Sequence, residues 1–354
     1  MSKYWSRRVR GLKPYVPGEQ PQDKSYIKLN TNENPYPPSP KVQEAIKRAV
    51  DSKLKLYPDP EGLELRITIA DYFGLKKEQV FVGNGSDEVL AFAFMAFFDP
   101  ERPILFPDVT YSFYPVYARL LDLKYELVEL NSDFTLPLDP FLKNNGGIIF
   151  PNPNAPTGIF TPLERVEKIL ASNLESVVIV DEAYIDFGGE SAVRLLNKYP
   201  NLLIVQTLSK SRSLAGLRVG FALGSKDLIQ GLNSIKNSIN SYTLDRLALV
   251  GALEAFKDND YFEETRKKII ATRGKTAIAL KDLGFTALPS KTNFLLISHP
   301  ILKAEDLFAE LKERAILVRY FRLPRIDNFL RVSIGSEEEM KIFLENIKEI
   351  VLSV

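Results

Sequence analysis

Two apolar runs end in residues that together could manage an aldehyde-bearing ring. Val177-Val178-Ile179-Val180 delivers Asp181, followed by Glu182-Ala183-Tyr184, and Leu202–Thr207 leads into Leu208-Ser209-Lys210-Ser211. A lysine amine placed after a buried strand can condense with an aldehyde to an imine. A carboxylate at a strand tip could pair with a protonated ring nitrogen, and the tyrosine hydroxyl three residues on could donate to a phenolic oxygen. Arg218, eight residues past the lysine, could hold a phosphate dianion together with Ser209. Each also has an ordinary reading, since a strand-end aspartate commonly forms a turn and a loop lysine is commonly solvated. It is their joint occurrence that points to chemistry.

Two loops add to the set. Val82-Gly83-Asn84-Gly85-Ser86-Asp87-Glu88 leaves one apolar run and opens another of helical length, so free amides of a first helical turn could cradle a phosphate. A dinucleotide-binding loop would need a third glycine where Glu88 stands, and would fall in the first strand–helix unit of the chain. Plain capping by Ser86 or Asp87 is the alternative for this loop alone. Pro151-Asn152-Pro153-Asn154-Ala155-Pro156-Thr157-Gly158 could present amide donors to a cofactor oxygen, and a simple turn explains its composition equally well.

These residues must be positioned by strands. From Lys41 the chain alternates helical segments with short apolar runs at Val80–Gly83, Pro103–Phe106, Tyr125–Leu130, Gly147–Phe150, Val177–Asp181, Leu202–Thr207 and Gly220–Leu223. That rhythm predicts an α/β large domain over 41–250, with a seven-stranded, mostly parallel sheet flanked by helices. Ligands in such sheets gather beyond the carboxyl ends of the strands, where the candidate residues fall. Residues 251–354 read as a smaller α+β C-terminal domain: a long helix to Leu283, strands at Phe294–Ile297, Ile316–Val318 and Phe329–Ser333, a helix at Ala304–Arg314, and a last helix from Glu337. Residues 1–40, rich in Pro, Asn and Tyr, read as an extended N-terminal arm.

Composition narrows the chemistry. Lys+Arg at 46 nearly cancels Asp+Glu at 45, so no basic field gathers nucleic acid or an acidic membrane, and a small-molecule partner is expected. With no cysteine and one histidine, the chain has no thiolate nucleophile, no Ser-His-Asp triad and no metal site in prospect. His299 in Ser-His-Pro-Ile reads as a loop residue. No window approaches the roughly 20 apolar residues of a membrane helix, and the N-terminus lacks a signal-peptide pattern, so a cytoplasmic location is expected.

Taken in order, Asn32-Glu33-Asn34-Pro35, Tyr57-Pro58-Asp59, Gly83–Glu88, Thr110-Tyr111, Pro153–Gly158, Asp181–Tyr184, Thr207–Lys210, Ala215–Arg218 and Leu330–Gly335 resemble the fold type I pyridoxal-phosphate aminotransferases over nearly the whole chain. The histidinol-phosphate aminotransferase branch is the nearest likeness. The resemblance implies a pyridoxal 5'-phosphate cofactor held as a Schiff base by Lys210, with Asp181 at the pyridine nitrogen and Tyr184 at the 3-oxygen. It places the phosphate among Gly85, Ser86, Asp87, Ser209 and Arg218, with Tyr111 stacked on the ring. It implies a homodimer in which Tyr57 and Tyr15 reach across the interface, and substrate contacts from Tyr15, Asn34, Arg319 and Arg331. The implied reaction passes an amino group from histidinol phosphate to 2-oxoglutarate; aromatic amino-acid transamination and threonine-phosphate decarboxylation are the alternatives on a similar chain. Where the family usually has an asparagine before Pro-Thr-Gly, this chain has Ala155, so Asn154 is expected to supply the amide, or Tyr184 to serve the oxygen alone.

Overall fold

The computed structural model describes residues 2–353. Its centre is a seven-stranded sheet in the order Val80–Asn84, Val219–Gly224, Leu202–Thr207, Val178–Asp181, Ile148–Pro151, Ile104–Pro107 and Tyr125–Val128. Val219–Gly224 runs antiparallel to both of its neighbours, and the remaining pairings are parallel. All seven expected strands are present, with ends shifted by a residue or two. Every residue of Val178–Asp181 and Leu202–Thr207 is buried, as expected for strands covered by helices on both faces. The edge strand Tyr125–Val128 instead exposes its middle residues, and Glu126 there sets a charge on the sheet's open side.

Two apolar cores lie on the two sides of this sheet. One joins Val82, Phe150, Val180, Ile204 and Phe221, and the other joins Phe81, Phe94, Phe106, Ile179 and Val205. Strand residues alternate between them because successive side chains point to opposite faces. Parallel register then sets Pro151 beside Asp181, and the antiparallel pairing sets Thr207 beside Gly220 and Gly83 on the other side of Gly220. The candidate residues therefore share one end of the sheet.

The helix Gly85–Phe97 rests its first turn directly on the strand Val219–Gly224. A Cβ on Gly220 would lie 2.3 Å from the Ser86 nitrogen, so this contact requires glycine. The helix Arg246–Lys257, capped by Asp245, gives Ala248, Ala252 and Phe256 to the first core. The next helix, Asn259–Asp282, gives Ile269 and Leu280 to a third core shared with Leu295, Val332 and Phe343. That third core lies behind a four-stranded antiparallel sheet ordered Arg319–Tyr320, Leu330–Ser333, Phe294–Ser298, Thr286–Ala287. The last helix, Glu337–Leu352, starts at a reciprocal cap between Ser336 and Glu339.

The N-terminal segment is not wholly extended. It contains a four-residue helix at Arg7–Arg10, and Ile27–Lys28 pairs in parallel with Ile316–Leu317. The chain then crosses to the first long helix, Pro40–Ala49, which Ser39 caps. Among the described residues, no helix is long and apolar enough to cross a membrane, and no cluster of His, Cys, Asp and Glu could hold a metal ion.

Candidate active site

A half-open cavity at the carboxyl end of the large sheet gathers Asp181, Tyr184, Ser209, Lys210 and Arg218 from the large lobe, and Arg319 and Arg331 from the small sheet. Ser86, Asp87, Tyr111 and Tyr15 also face it. Most of the residues singled out in the sequence thus converge, from segments as far apart as Tyr15 and Arg331.

The Lys210 amine donates to the Thr31 carbonyl at 3.2 Å and lies 5.9 Å from the centre of the Tyr184 ring. Asp181 is 4% exposed; the Tyr114 hydroxyl donates to its Oδ2 at 2.8 Å, and the Ala183 amide donates to its Oδ1 at 3.2 Å. Burial pushes its carboxyl up to about 6, against the pull of those two donors. A buried carboxylate with no cation beside it is one that a protonated ring nitrogen would complement. The Tyr184 hydroxyl accepts from the Asn32 amide at 2.9 Å. Asn32 itself sits at φ 57° and is fixed by Ser333, whose hydroxyl meets both its amide nitrogen and its side-chain oxygen.

The opposite end of the cavity is built for an anion. The helix Gly85–Phe97 begins without a side-chain cap from Asn84, which leaves its first amides open. Arg218 adopts a left-handed backbone at φ 52°, and its guanidinium donates to Asp87 at 3.1 Å. A Cβ on Gly85 would lie 2.5 Å from that guanidinium, so glycine lets the cation lie against the helix terminus. Buried Ser209 is tied to Thr207 through their hydroxyls at 3.0 Å. Asp87 also accepts from Tyr111 at 2.8 Å, and burial, reinforced by Asp87, holds the Tyr111 hydroxyl well above the usual tyrosine range. Open amides, a serine hydroxyl and an arginine at one end, an unpaired buried carboxylate at the other, and a lysine between them fit pyridoxal 5'-phosphate.

On the small-lobe side, Arg319 and Arg331 are direct partners across two antiparallel strands. Like charges set opposite each other are unfavourable unless an anion bridges them. Arg331 donates to the Asn30 carbonyl at 2.9 Å, while its buried Nε has no partner. Burial lowers its guanidinium below the usual arginine range, with Tyr184 and Tyr15 opposing that effect. Arg319 donates to the carbonyls of Pro17 and Val16 at 3.3 and 3.2 Å.

Two expectations, those for Asn154 and for the extended arm, need correction. Asn154 does not line the cavity: its amide donates to the Val109 carbonyl and the Thr157 hydroxyl, and Ala155 faces the cavity instead. The loop uses that amide for its own closure. Asn34 lies outside the cavity lining and donates to the Lys210 and Ser211 carbonyls, so it braces the lysine loop. Tyr15 lines the cavity of its own chain, where the arm folds back and Tyr15 stacks on Phe113 at 4.4 Å. The extended arm, finally, carries the helix and strand described above. Tyr57 stays outside the cavity, 81% exposed and stacked on Tyr242. His299 caps a loop, accepting from the Ile301 and Leu302 amides.

Sequence reasoning missed Thr31, Asn32, Thr207 and Tyr114. Asn32 was within reach, because it belongs to the same Asn-Glu-Asn-Pro motif as Asn34. Nothing in the local sequence ties Tyr114 to Asp181.

The profile of the aminotransferase class I and II family matches residues 24–347. The chain is 63% identical over 351 residues to the histidinol-phosphate aminotransferase of Clostridium acetobutylicum, covering 99% of this chain and 100% of that one. It is 58% identical to the enzyme of the same name from Clostridium beijerinckii, with 99% and 98% covered. Among solved structures, the histidinol-phosphate aminotransferase of Sinorhizobium meliloti in complex with pyridoxal-5'-phosphate superposes with a TM-score of 0.89 at 22% identity, covering 100% of this chain and 99% of that one. A second histidinol-phosphate aminotransferase from Clostridium acetobutylicum gives 0.86 at 24% identity, with 93% and 100% covered. Those two likenesses establish the fold. Together with the sequence relatives and the cavity, they lead to one conclusion: the chain belongs to the class I and II aminotransferases, enzymes that work with pyridoxal 5'-phosphate.

Proposed function

We propose that this enzyme transfers the amino group of histidinol phosphate to 2-oxoglutarate, as a homodimer in the cytoplasm. The observation that carries the substrate reading is the facing pair Arg319 and Arg331, two planar cations lining the cavity, with the buried Arg331 Nε unpartnered. Such a pair can bind a phosphomonoester or a carboxylate with two bonds each, so it could accept the phosphorylated donor and then the dicarboxylic acceptor. The names of the sequence relatives support the same substrate.

Lys210 would hold the cofactor's aldehyde carbon, Asp181 its ring nitrogen and Tyr184 its 3-oxygen. Its phosphate would lie among the Gly85 and Ser86 amides, Ser209 and Arg218, with Asp87 fixing Arg218 and Tyr111. When bound, the cofactor serves as an electron sink for the substrate's α-carbon. Freed from the cofactor, the Lys210 amine would carry the proton between the substrate's α-carbon and the cofactor's aldehyde carbon, in one direction in the first half-reaction and in the other in the second. Asp181 keeps a proton on the ring nitrogen, and Tyr184 steadies the phenolic oxygen through its bond from Asn32. Tyr15 lines the same cavity as the arginine pair and would help to exclude water. Tyr57 would reach the phosphate of a second subunit. The large lobe would extend to Lys257, where the helix of the first core ends.

The test is the visible absorbance of the purified holoenzyme after separate addition of histidinol phosphate, glutamate and phenylalanine. Loss of the cofactor's visible band with the first two supports the reading. Much faster loss with phenylalanine would replace it with aromatic transamination.

A further inference from the structure

Against Asp181, outside the cavity lining, stands Tyr114. Its ring is fully buried, packed against Phe106 at 6.0 Å, Phe94 at 6.4 Å and Tyr111 at 5.7 Å, and its hydroxyl donates to Asp181 Oδ2 at 2.8 Å. The helix Tyr114–Leu120 holds it there, with Pro115 in the first turn. A phenol so enclosed is neutral at any working pH, because burial and the adjoining carboxylate both oppose its ionisation. It can therefore act on Asp181 as a permanent donor.

We propose that Tyr114 is a positioning residue that sets the basicity of Asp181 and thereby decides where the proton shared with the cofactor's ring nitrogen resides. This rests on the reading that Asp181 faces that nitrogen. The shared proton has two homes, the nitrogen or the carboxylate, and the total charge is the same in both. A donor bound to the carboxylate favours its ionised form and leaves the proton on nitrogen, where the ring draws electrons most strongly. Without it, a carboxylate buried in this site would compete for the proton. The other charged groups nearby cannot substitute. Asp87, on the helix Gly85–Phe97, acts in the opposite sense by raising the Asp181 carboxyl. Glu182, next along the strand, is occupied by Ser191, the Ala192 amide and Gln206. Tyr117 donates to the Asp87 carbonyl, Tyr111 to the Asp87 carboxylate, and Arg218 pairs with Asp87. Across the cavity, Lys210 donates to Thr31 and Tyr184 accepts from Asn32. Tyr114 is the side-chain donor that Asp181 has among the described residues.

Two readouts test this. In the cofactor-free enzyme, infrared titration of aspartate-specific carboxyl bands would follow Asp181, identified by loss of its band in Asp181→Asn. Tyr114→Phe should move that midpoint upward by about one pH unit, the size of one hydrogen bond to a charged acceptor. Replacing Tyr114 with a ring-fluorinated tyrosine, a stronger donor of nearly the same shape, should move it downward, which keeps the test open if Tyr114→Phe folds poorly. In the holoenzyme, the nitrogen resonance of ring-labelled cofactor should show a smaller protonated fraction in Tyr114→Phe, while Tyr117→Phe, which loses a neighbouring buried hydroxyl, should match the wild type. Unchanged midpoints in both Tyr114 variants would overturn the proposal. A ring-nitrogen resonance indifferent to Asp181→Asn would instead overturn the placing of Asp181 at that nitrogen, and the cofactor-free titration would still judge Tyr114.

Discussion

At the scale of single residues, the site sets a buried carboxylate against a neighbouring lysine that stays apart from it. Lys210 donates to a backbone carbonyl, and Asp181 receives only neutral donors. If the lysine is the proton carrier, Lys210→Ala should lower turnover on the order of 10²–10⁴-fold with little change in thermal stability, measured with histidinol phosphate and 2-oxoglutarate. Asp181 makes a different forecast. Its carboxyl is raised to about 6 in the folded chain, so its contribution to stability is full below the unfolded value near 4 and is lost as pH rises through 6. Cofactor-free Asp181→Asn should therefore be more stable than the wild type above pH 6, by at most about 2–3 kcal/mol, with the gain vanishing near pH 4. Thermal melts at several pH values would show this, and adding cofactor should reverse the order because asparagine cannot pair with the ring cation.

At the scale of elements, the strand ends are what the amino-acid sequence reveals best. Runs such as Val178–Asp181 and Leu202–Thr207 are apolar on both faces, which only a sheet covered on both sides explains, and their polar endings then mark the site. What the pattern hides is two-residue pairing: Ile27–Lys28 and Thr286–Ala287 are too short to have a period, and only tertiary contact makes them strands. Side-chain direction in a rigid loop is hidden as well, which is why Asn154 was expected in the cavity while its amide closes its own turn. The close seat of the helix Gly85–Phe97 on Gly220 yields a sharp forecast. Gly220→Ala would drive a methyl group into the Ser86 amide, costing about 1–3 kcal/mol of stability and displacing the very amides proposed to hold the phosphate. Equilibrium dialysis should show cofactor affinity falling by more than the melting temperature alone would suggest.

At the scale of the whole molecule, the stack of Tyr57 on Tyr242 lies exposed on the surface, outside the cavity lining. If Tyr57 serves a neighbouring subunit, a hybrid of one Lys210→Ala chain and one Tyr57→Phe chain contains one site with both defects and one with neither. Mixing the two weakly active homodimers should then restore activity, and sedimentation should find dimers throughout. Activity that stays at the average of the parents would remove Tyr57 from the partner's site.

The arm folded over the cavity has a kinetic corollary. Arg319 is already engaged by the Val16 and Pro17 carbonyls, and Gly18 lies so close to Thr31 that a Cβ there would sit 2.7 Å from its methyl group. An arriving anion must win that guanidinium from the peptide strap before it can seat. Stopped-flow traces should accordingly level off as donor concentration climbs, with a ceiling set by strap release, and trimming the chain ahead of Gly18 should lift that ceiling while loosening the final grip.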